Sequence, residues 1–148
     1  MTDAEYLEWF NNEFWRTLQD SGVGSLSRLQ RDALCVMNFQ AELNNGGMHQ
    51  YLLNSSGEFA KETPDVFRRI GASEAVRILE EANAFFGPTG PPMDRETRMA
   101  ALLALPKEAE DRIHALSREF YDAEDRGLSL ADLFDAYVLS PSGKSGGA

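Results

Sequence analysis

One run in the middle of the chain constrains the fold more than any other. Residues 33–39, ALCVMNF, contain a single polar residue, Asn38, inside a segment with helical character from about residue 28 to residue 43. Ser25 or Ser27 can cap its start. A helix on a protein surface shows polar residues about once per turn. This helix is therefore predicted to be central and buried on most sides.

The flanking segments also have helical periodicity. Apolar residues fall on one broad face of residues 3 to 19, until Gly22 and Gly24 interrupt the pattern. Further apolar stripes follow Ser73 and Pro106, and no run alternates with the period of two that marks a strand. We predict an all-α fold: a single domain over residues 1–139, with about seven or eight helices around the buried central one. Residues 140–148 are predicted to form a disordered tail.

The charge of the chain narrows the class of partner. Asp and Glu number 24 against 14 Lys and Arg, which gives a formal net charge of −10. A field of this sign repels nucleic acid and anionic membrane surfaces, and it attracts basic proteins, including their DNA-contacting faces. We therefore expect a basic protein partner, with a DNA-binding regulator as the specific candidate. Direct binding to nucleic acid or to a membrane is not expected.

Cysteine usage and the first residues indicate the compartment. Cys35 is the single cysteine, so no intrachain disulfide can form and a reducing compartment is expected. The start, MTDAEYLEWF, has neither the basic region nor the long apolar run of a signal peptide. No membrane span is predicted, and the expected location is the cytoplasm.

Residues with catalytic or metal-binding chemistry are sparse. The two histidines, His49 and His114, have no His, Cys or carboxylate partner at a recognised metal-ligand spacing. The glycine-containing loops lack the lysine and the preceding strand of a phosphate-binding loop. Cys35 lies in the most apolar segment, where a buried, inert thiol is expected. The sequence thus predicts no catalytic residue, no metal site and no cofactor.

Residues 42–57, ELNNGGMHQYLLNSSG, interrupt this helical pattern. Asn and Gly tolerate left-handed backbone conformations, so NNGG is predicted to end the central helix in a tight turn, with positive φ at Gly46 or Gly47. Gln50 and Asn54 are four residues apart on one face of a short helix. Their amides are predicted to bridge backbone groups at the two flanking turns.

A functional interpretation of the same residues stays open. Asn45, His49, Gln50 and Asn54 could line a polar pocket, with His49 as a general base, in an enzyme or a small-ligand binder. The structural interpretation is favoured, because amides satisfy buried loops well and catalyse poorly.

This stretch resembles the signature of a family of small acidic bacterial proteins that is named for a DNA-mimic member and is otherwise catalogued as a domain of unknown function. Met48 departs from the pattern, since an aromatic residue is expected there. A second similar segment is RRIGASEAVRILEEA, and the resemblance covers roughly residues 30 to 138. The residues of the first motif are Asn45, Gly46, Gly47, Gln50, Tyr51, Asn54, Ser55 and Gly57.

The resemblance implies an all-helical fold and binding to a DNA-binding protein, with surface carboxylates standing in for phosphates. It supplies no catalytic residues. The motif itself is scaffold, and any mimicry would lie on surface acids, so function has to be argued from the surface.

Two acidic surfaces are candidates for partner binding. The first helix presents Glu5, Glu8 and Glu13 beside Trp9 and Trp15, which suits an interface; alternatively, both tryptophans seal the edge of the core. The second candidate surface comprises Glu124, Asp125, Asp132 and Asp135.

The longest helix, from Pro106 to Arg126, shows mixed charge. The pairs Glu108–Arg112 and Asp122–Arg126 have the favourable spacing of four residues and are predicted to form along it, as on an ordinary solvated helix. A generic helical interaction module therefore remains an alternative to mimicry. A homodimer is also a candidate assembly.

Overall fold

The computed structural model describes residues 2–139, apart from the side chains of Asp3, Tyr6, Leu7, Phe10 and Asn11. Over these residues the protein contains helices and no strand, which confirms the predicted all-α class. The helices are α1 (Asp3–Glu8), α2 (Trp15–Ser21), α3 (Arg28–Asn45), α4 (Met48–Leu53), α5 (Thr63–Ile70), α6 (Ser73–Ala84), α7 (Arg95–Leu103), α8 (Lys107–Asp125) and α9 (Leu130–Leu139). A π-helical segment, Trp9–Phe14, joins α1 to α2, and 3-10 turns occupy Val23–Ser25 and Ser55–Phe59.

The central helix is α3, as its apolar run predicts. Ser27 caps it in a reciprocal arrangement: the Gln30 backbone N–H donates to Ser27 Oγ at 3.2 Å, and the Ser27 N–H donates to Gln30 Oε1 at 2.9 Å. Buried residues line several sides of the helix, so it has no wholly polar face. They are Gln30, Asp32, Ala33, Leu34, Cys35, Val36, Phe39 and Leu43.

Phe39 shows how the other helices surround α3. Its ring meets the rings of Tyr51 in α4, Phe67 in α5 and Phe120 in α8 edge-on, with centroid distances of 5.0, 5.0 and 5.2 Å. Edge-to-face contacts of this kind are favourable beyond the burial of area. A single side chain of α3 thus joins three neighbouring helices.

Phe14 attaches the first helical run to the core. Phe14 is fully buried, and its ring lies 5.9 Å from that of Trp9 and 5.0 Å from that of Trp15. Sequence periodicity predicts a regular helix here, whereas the structure has the π-helical segment. A π-turn brings residues five apart onto the same side, which is the spacing of Trp9 and Phe14. Trp9 packs against the core, while Trp15 is 42 % exposed.

Within residues 2–139, no helix has both the length and the apolar character that a membrane crossing requires. The predicted disordered tail, residues 140–148, lies outside the described residues.

Candidate functional site

The turn between α3 and α4 is the centre of the region called here the signature joint (residues 42–57). The backbone N–H groups of Gly46 and Gly47 both donate to the Glu42 carbonyl, at 2.9 and 3.0 Å, and end α3. Gly47 has φ +91°, which confirms the predicted positive φ, whereas Gly46 has φ −153° and ψ −2°. The Met48 N–H that follows donates to Ser117 Oγ of α8 at 2.7 Å.

At position 46, glycine avoids a close approach to the Gln50 side chain, which would otherwise have to move, and the backbone angle does not favour glycine. A Cβ at Gly46 would lie 1.8 Å from Oε1 of Gln50. At Gly47 a Cβ would lie 2.9 Å from Oγ of Ser117. The two glycines therefore let the turn pack directly against α4 on one side and α8 on the other.

The amides of the joint meet a carboxylate. Gln50 Nε2 and Asn54 Nδ2 both donate to Oε2 of Glu42, each at 3.0 Å. The predicted bridging of backbone groups at the flanking turns is therefore wrong. An ionised carboxylate is a stronger acceptor than a backbone carbonyl, and Glu42 sits on the last turn of α3, within reach of both amides. Glu42 thereby ties the end of α3 to α4.

A buried arginine binds the backbone at the end of α4, in the second half of the joint. Arg98 of α7 is 0 % exposed, and its guanidinium donates to four carbonyl oxygens: Leu52 at 2.6 Å, Asn54 at 2.7 Å, Pro92 at 2.9 Å and Met93 at 3.0 Å. Burial lowers the pKa of Arg98. The cation is thus held by carbonyl dipoles at the end of α4 and in the loop before α7.

Gly57 makes room for this arginine, since a Cβ there would lie 2.5 Å from Arg98 Nε. Sequence reasoning missed Arg98. The available signal was its position four residues before Leu102, on the buried face of α7.

The residues of the alternative polar pocket are hydrogen-bonded, stacked or exposed. Gln50 and Asn54 are bound to Glu42, and Asn45 is exposed at the end of α3. His49 stacks on His114 of α8 with ring centroids 5.5 Å apart. Burial, and secondly the neighbouring His114, lower the pKa of His49.

The remaining candidates for reactive chemistry are the single cysteine and any group of metal-ligating side chains. Cys35 is fully buried, and burial raises its pKa to about 12. Among residues 2–139, no group of three or more His, Cys, Asp or Glu side chains is placed to hold a metal ion.

The ion pairs predicted along α8 do not form. Arg112 bonds to Glu81 of α6 and lies 2.9 Å from Glu119, and Arg126 lies 3.2 Å from Glu74 of α6. The predicted partners of these arginines, Glu108 and Asp122, are therefore replaced. Because α6 packs beside α8, its carboxylates are within reach of both arginines, and Arg112 can contact two acids at once. Arg112 and Arg126 thus both contact carboxylates of α6.

The second predicted surface lies where α8 ends and α9 begins, and we call it the acidic edge (Glu124, Asp125, Asp132 and Asp135). Glu124 accepts a hydrogen bond from Gln40 Nε2 of α3 at 2.9 Å. Asp125 and Asp132 are exposed. Among the described residues, neither of these two nor Glu124 forms an ion pair with Lys or Arg.

A groove of about 330 Å³ lies between α3 and α9, beside the acidic edge. Its walls are mainly apolar, and Asp135 is one of its two polar lining residues. The lining residues are Ala33, Val36, Met37, Gln40, Ala41, Ala131, Phe134 and Asp135.

The structure also brings together the first predicted surface. Glu5, Glu8, Trp9 and Glu13 line one shallow groove of about 490 Å³ together with Asn12 and Arg16. Glu5 accepts a hydrogen bond from the Thr2 N–H at 2.6 Å, so it helps to cap α1. Arg16 places a cation among these acids, which makes this N-terminal surface less purely acidic than its first residues suggest.

Comparison with known proteins gives one result. A family model described as DMP19-like protein matches residues 24–140. No curated protein and no solved structure matches the chain. The matched range includes the signature joint and the acidic edge and excludes the N-terminal acidic surface. The chain therefore belongs to the DMP19-like protein family.

Proposed function

We propose that this protein is a non-enzymatic binding protein that occupies the DNA-contacting surface of a basic regulator. The observation that supports this most directly is the acidic edge. Arg112 and Arg126 are engaged by acids of α6, while Glu124, Asp125 and Asp132 form no ion pair with Lys or Arg among the described residues. Carboxylates without counter-ions are what a surface needs in order to replace phosphates.

Electrostatics favour this role. The net charge of −10 steers a cationic partner towards the protein, and Glu124, Asp125 and Asp132, which form no ion pair among the described residues, add to that attraction locally. Family membership adds support, because the family is named for a DNA-mimic protein. An enzyme or small-ligand site has less support, since the amides of Gln50 and Asn54 are already bound to Glu42.

The test neutralises the acidic edge without changing its shape. The variant combines Glu124→Gln, Asp125→Asn, Asp132→Asn and Asp135→Asn. Immobilised wild-type protein is used to capture DNA-binding proteins from a cell lysate at low salt. Each captured protein is then bound to fluorescent DNA, and its release is followed by anisotropy. Wild-type protein should displace the DNA, and the variant should do so far more weakly.

A matched control changes the same amount of charge elsewhere. Glu58→Gln, Glu96→Gln, Glu108→Gln and Glu110→Gln neutralise four exposed acids outside the acidic edge. This control should retain displacement, because local charge and not net charge is required. A captured protein that holds its DNA and this protein together, or binding that is insensitive to salt, would contradict the proposal.

A further inference from the structure

We infer that the α3–α9 groove receives one apolar side chain from a basic amphipathic segment of the partner, while cations of that segment contact the acidic edge. This inference rests on the proposed function and adds an anchor to it. The occupant is a protein segment with Leu or Phe on one face and Lys or Arg beside it.

The shape of the groove comes from small side chains. Three alanines line it, Ala33 and Ala41 on α3 and Ala131 on α9, between the larger Val36 and Phe134. Larger residues at these positions would fill the space between the helices. The groove has the volume to accept a single Leu or Phe side chain, and its mainly apolar lining favours such a group over a polar one.

Charge complementarity identifies the flanking residues of the occupant. Asp135 lines the groove itself. Gln40 also lines it and donates to Glu124, so a second carboxylate is held one hydrogen bond from the groove. Asp132 follows Ala131 directly on α9. An apolar residue entering the groove would therefore place its neighbours among three acids, which favours Lys and Arg at those positions.

Residues 140–148 could not supply this apolar anchor. Residues 140–148, SPSGKSGGA, follow α9 and contain no Leu, Ile, Val, Met or aromatic residue. A partner protein is the better match. A buried apolar anchor surrounded by charge is also how many interfaces obtain specificity, since such anchors dominate binding energy. The acids would then provide attraction, and the groove would select the partner.

Three helical peptides of about 15 residues test the anchor. The first has Leu on one face and Lys on the other; the second replaces Leu by Ser; the third replaces Lys by Glu. Binding is followed by anisotropy and by NMR of ¹³C-methyl methionine. Met37 lines the groove, and Met93, which is 58 % exposed and does not line it, serves as the internal control. Only the first peptide should shift Met37 and leave Met93 unchanged, with affinity at least about tenfold above the other two.

Two substitutions on α9 separate groove filling from helix damage. Ala131→Phe fills the groove at an exposed position without changing charge, and Ala136→Phe makes the same change at an exposed position that does not line the groove. Ala131→Phe should weaken the first peptide at least about tenfold, and Ala136→Phe should not.

Several results would overturn the inference. These are equal binding of the Leu and Ser peptides, equal binding of the Lys and Glu peptides, no response of Met37 to millimolar Leu–Lys peptide, or no effect of Ala131→Phe. A Met37 shift that depends on protein concentration alone would show that a second copy occupies the groove.

The captured partner distinguishes this inference from the proposed function. If neutralising the acidic edge abolishes capture while Ala131→Phe preserves it, the anchor is wrong and the proposed function stands. If neutralisation leaves capture unchanged, the proposed function fails. Loss of capture in both variants supports both.

Discussion

The signature joint and the acidic edge are both rich in polar side chains, yet they use them in opposite ways. In the joint, the polar groups bind one another: Glu42 accepts from two amides, and Arg98 donates to four carbonyl oxygens. At the acidic edge, Asp125 and Asp132 are exposed and form no ion pair with a described residue. Satisfied polar groups stabilise the fold, whereas unpaired charges remain available to a partner.

This difference separates what identifies the family from what we propose as function. The stretch that carries the resemblance, including Asn45 to Gly47 and Gly57, lies in the joint, where close packing explains the glycines. The acidic edge contributes nothing to that motif. A sequence signature can therefore report the scaffold of a protein while its binding surface has to be found from the arrangement of exposed charge.

The largest effect is expected from Arg98→Met, which keeps a long apolar stem and removes the donors. Four carbonyl oxygens would lose their partner, so the free energy of unfolding should fall by about 3 kcal/mol or more. Urea unfolding followed by circular dichroism measures it. Arg118→Met, on the exposed side of α8, is the control and should change stability by about 0.5 kcal/mol or less. Similar losses of unfolding free energy in the two variants would mean that the buried hydrogen bonds of Arg98 contribute no more to stability than an exposed arginine does.

Gly47→Ala should destabilise by about 2 kcal/mol, because it combines positive φ with a Cβ 2.9 Å from Ser117 Oγ. Gly87→Ala is the matched control: its φ is +94°, and a Cβ there meets nothing within 4 Å. It isolates backbone strain, at about 1 kcal/mol. Thermal or urea unfolding of both variants gives the difference between their losses of unfolding free energy, which is the cost of the contact with Ser117. Equal losses would show that the contact with α8 is readily relaxed.

Glu42→Gln should cost about 1 kcal/mol, since the amides of Gln50 and Asn54 both lose a charged acceptor. Asn54→Ala in the wild-type and Glu42→Gln backgrounds completes a double-mutant cycle. The two losses should be less than additive, because they remove the same hydrogen bond. Strict additivity would instead place the amides outside a shared network. Retained stability together with lost binding of a small molecule would favour the pocket interpretation.

His49 should make the stability of the folded protein depend slightly on pH. Because the pKa of His49 is lowered in the folded protein, the unfolded chain binds its proton more strongly. Stability present at neutral pH should therefore decline as the pH falls below about 6.5, the usual value for histidine. His49→Gln should flatten this decline in urea unfolding measured between neutral and mildly acidic pH. His114→Gln should flatten it partly. A wild-type slope of opposite sign would exclude His49 as its origin.

The smallest effect on stability is expected at the acidic edge. Neutralising its four residues should change the free energy of unfolding by about 0.5 kcal/mol per residue or less. Asp125 and Asp132 are exposed, and a Gln at position 124 keeps an oxygen that can accept from Gln40. The same variant should lose partner displacement. Urea unfolding and DNA-release anisotropy on one preparation compare the two properties. A large loss of stability would mean that the edge, like the joint, is part of the scaffold.

Local sequence rules predicted much of this architecture because the interactions involved are local. The apolar run around Cys35 predicted the central helix, and Ser27, one of its two predicted caps, forms a capping box with Gln30. Asp94 caps α7 in a similarly local way, by accepting from the Thr97 N–H. The positive φ at Gly47 likewise follows from the intrinsic freedom of glycine.

The missed features depend on residues brought together by tertiary packing. Spacing placed Gln50 and Asn54 on one face, but only the geometry of the turn brings Glu42 to them. Arg112 pairs with Glu81 of α6 and with Glu119 instead of with Glu108, four residues before it, because α6 brings a second carboxylate within reach. The partner that each of these side chains takes depends on which helices pack together, and the periodicity of the sequence does not specify that packing.

The contacts of Phe39 have a consequence for the order of folding. Its ring meets Tyr51 after a short stretch of chain, Phe67 after a longer one and Phe120 only after most of the sequence. Closing a longer loop costs more entropy, so the Phe39–Tyr51 contact has the lowest barrier from loop closure and the Phe39–Phe120 contact the highest. The α3–α4 hairpin would then act as an early nucleus, onto which α5 and finally α8 condense.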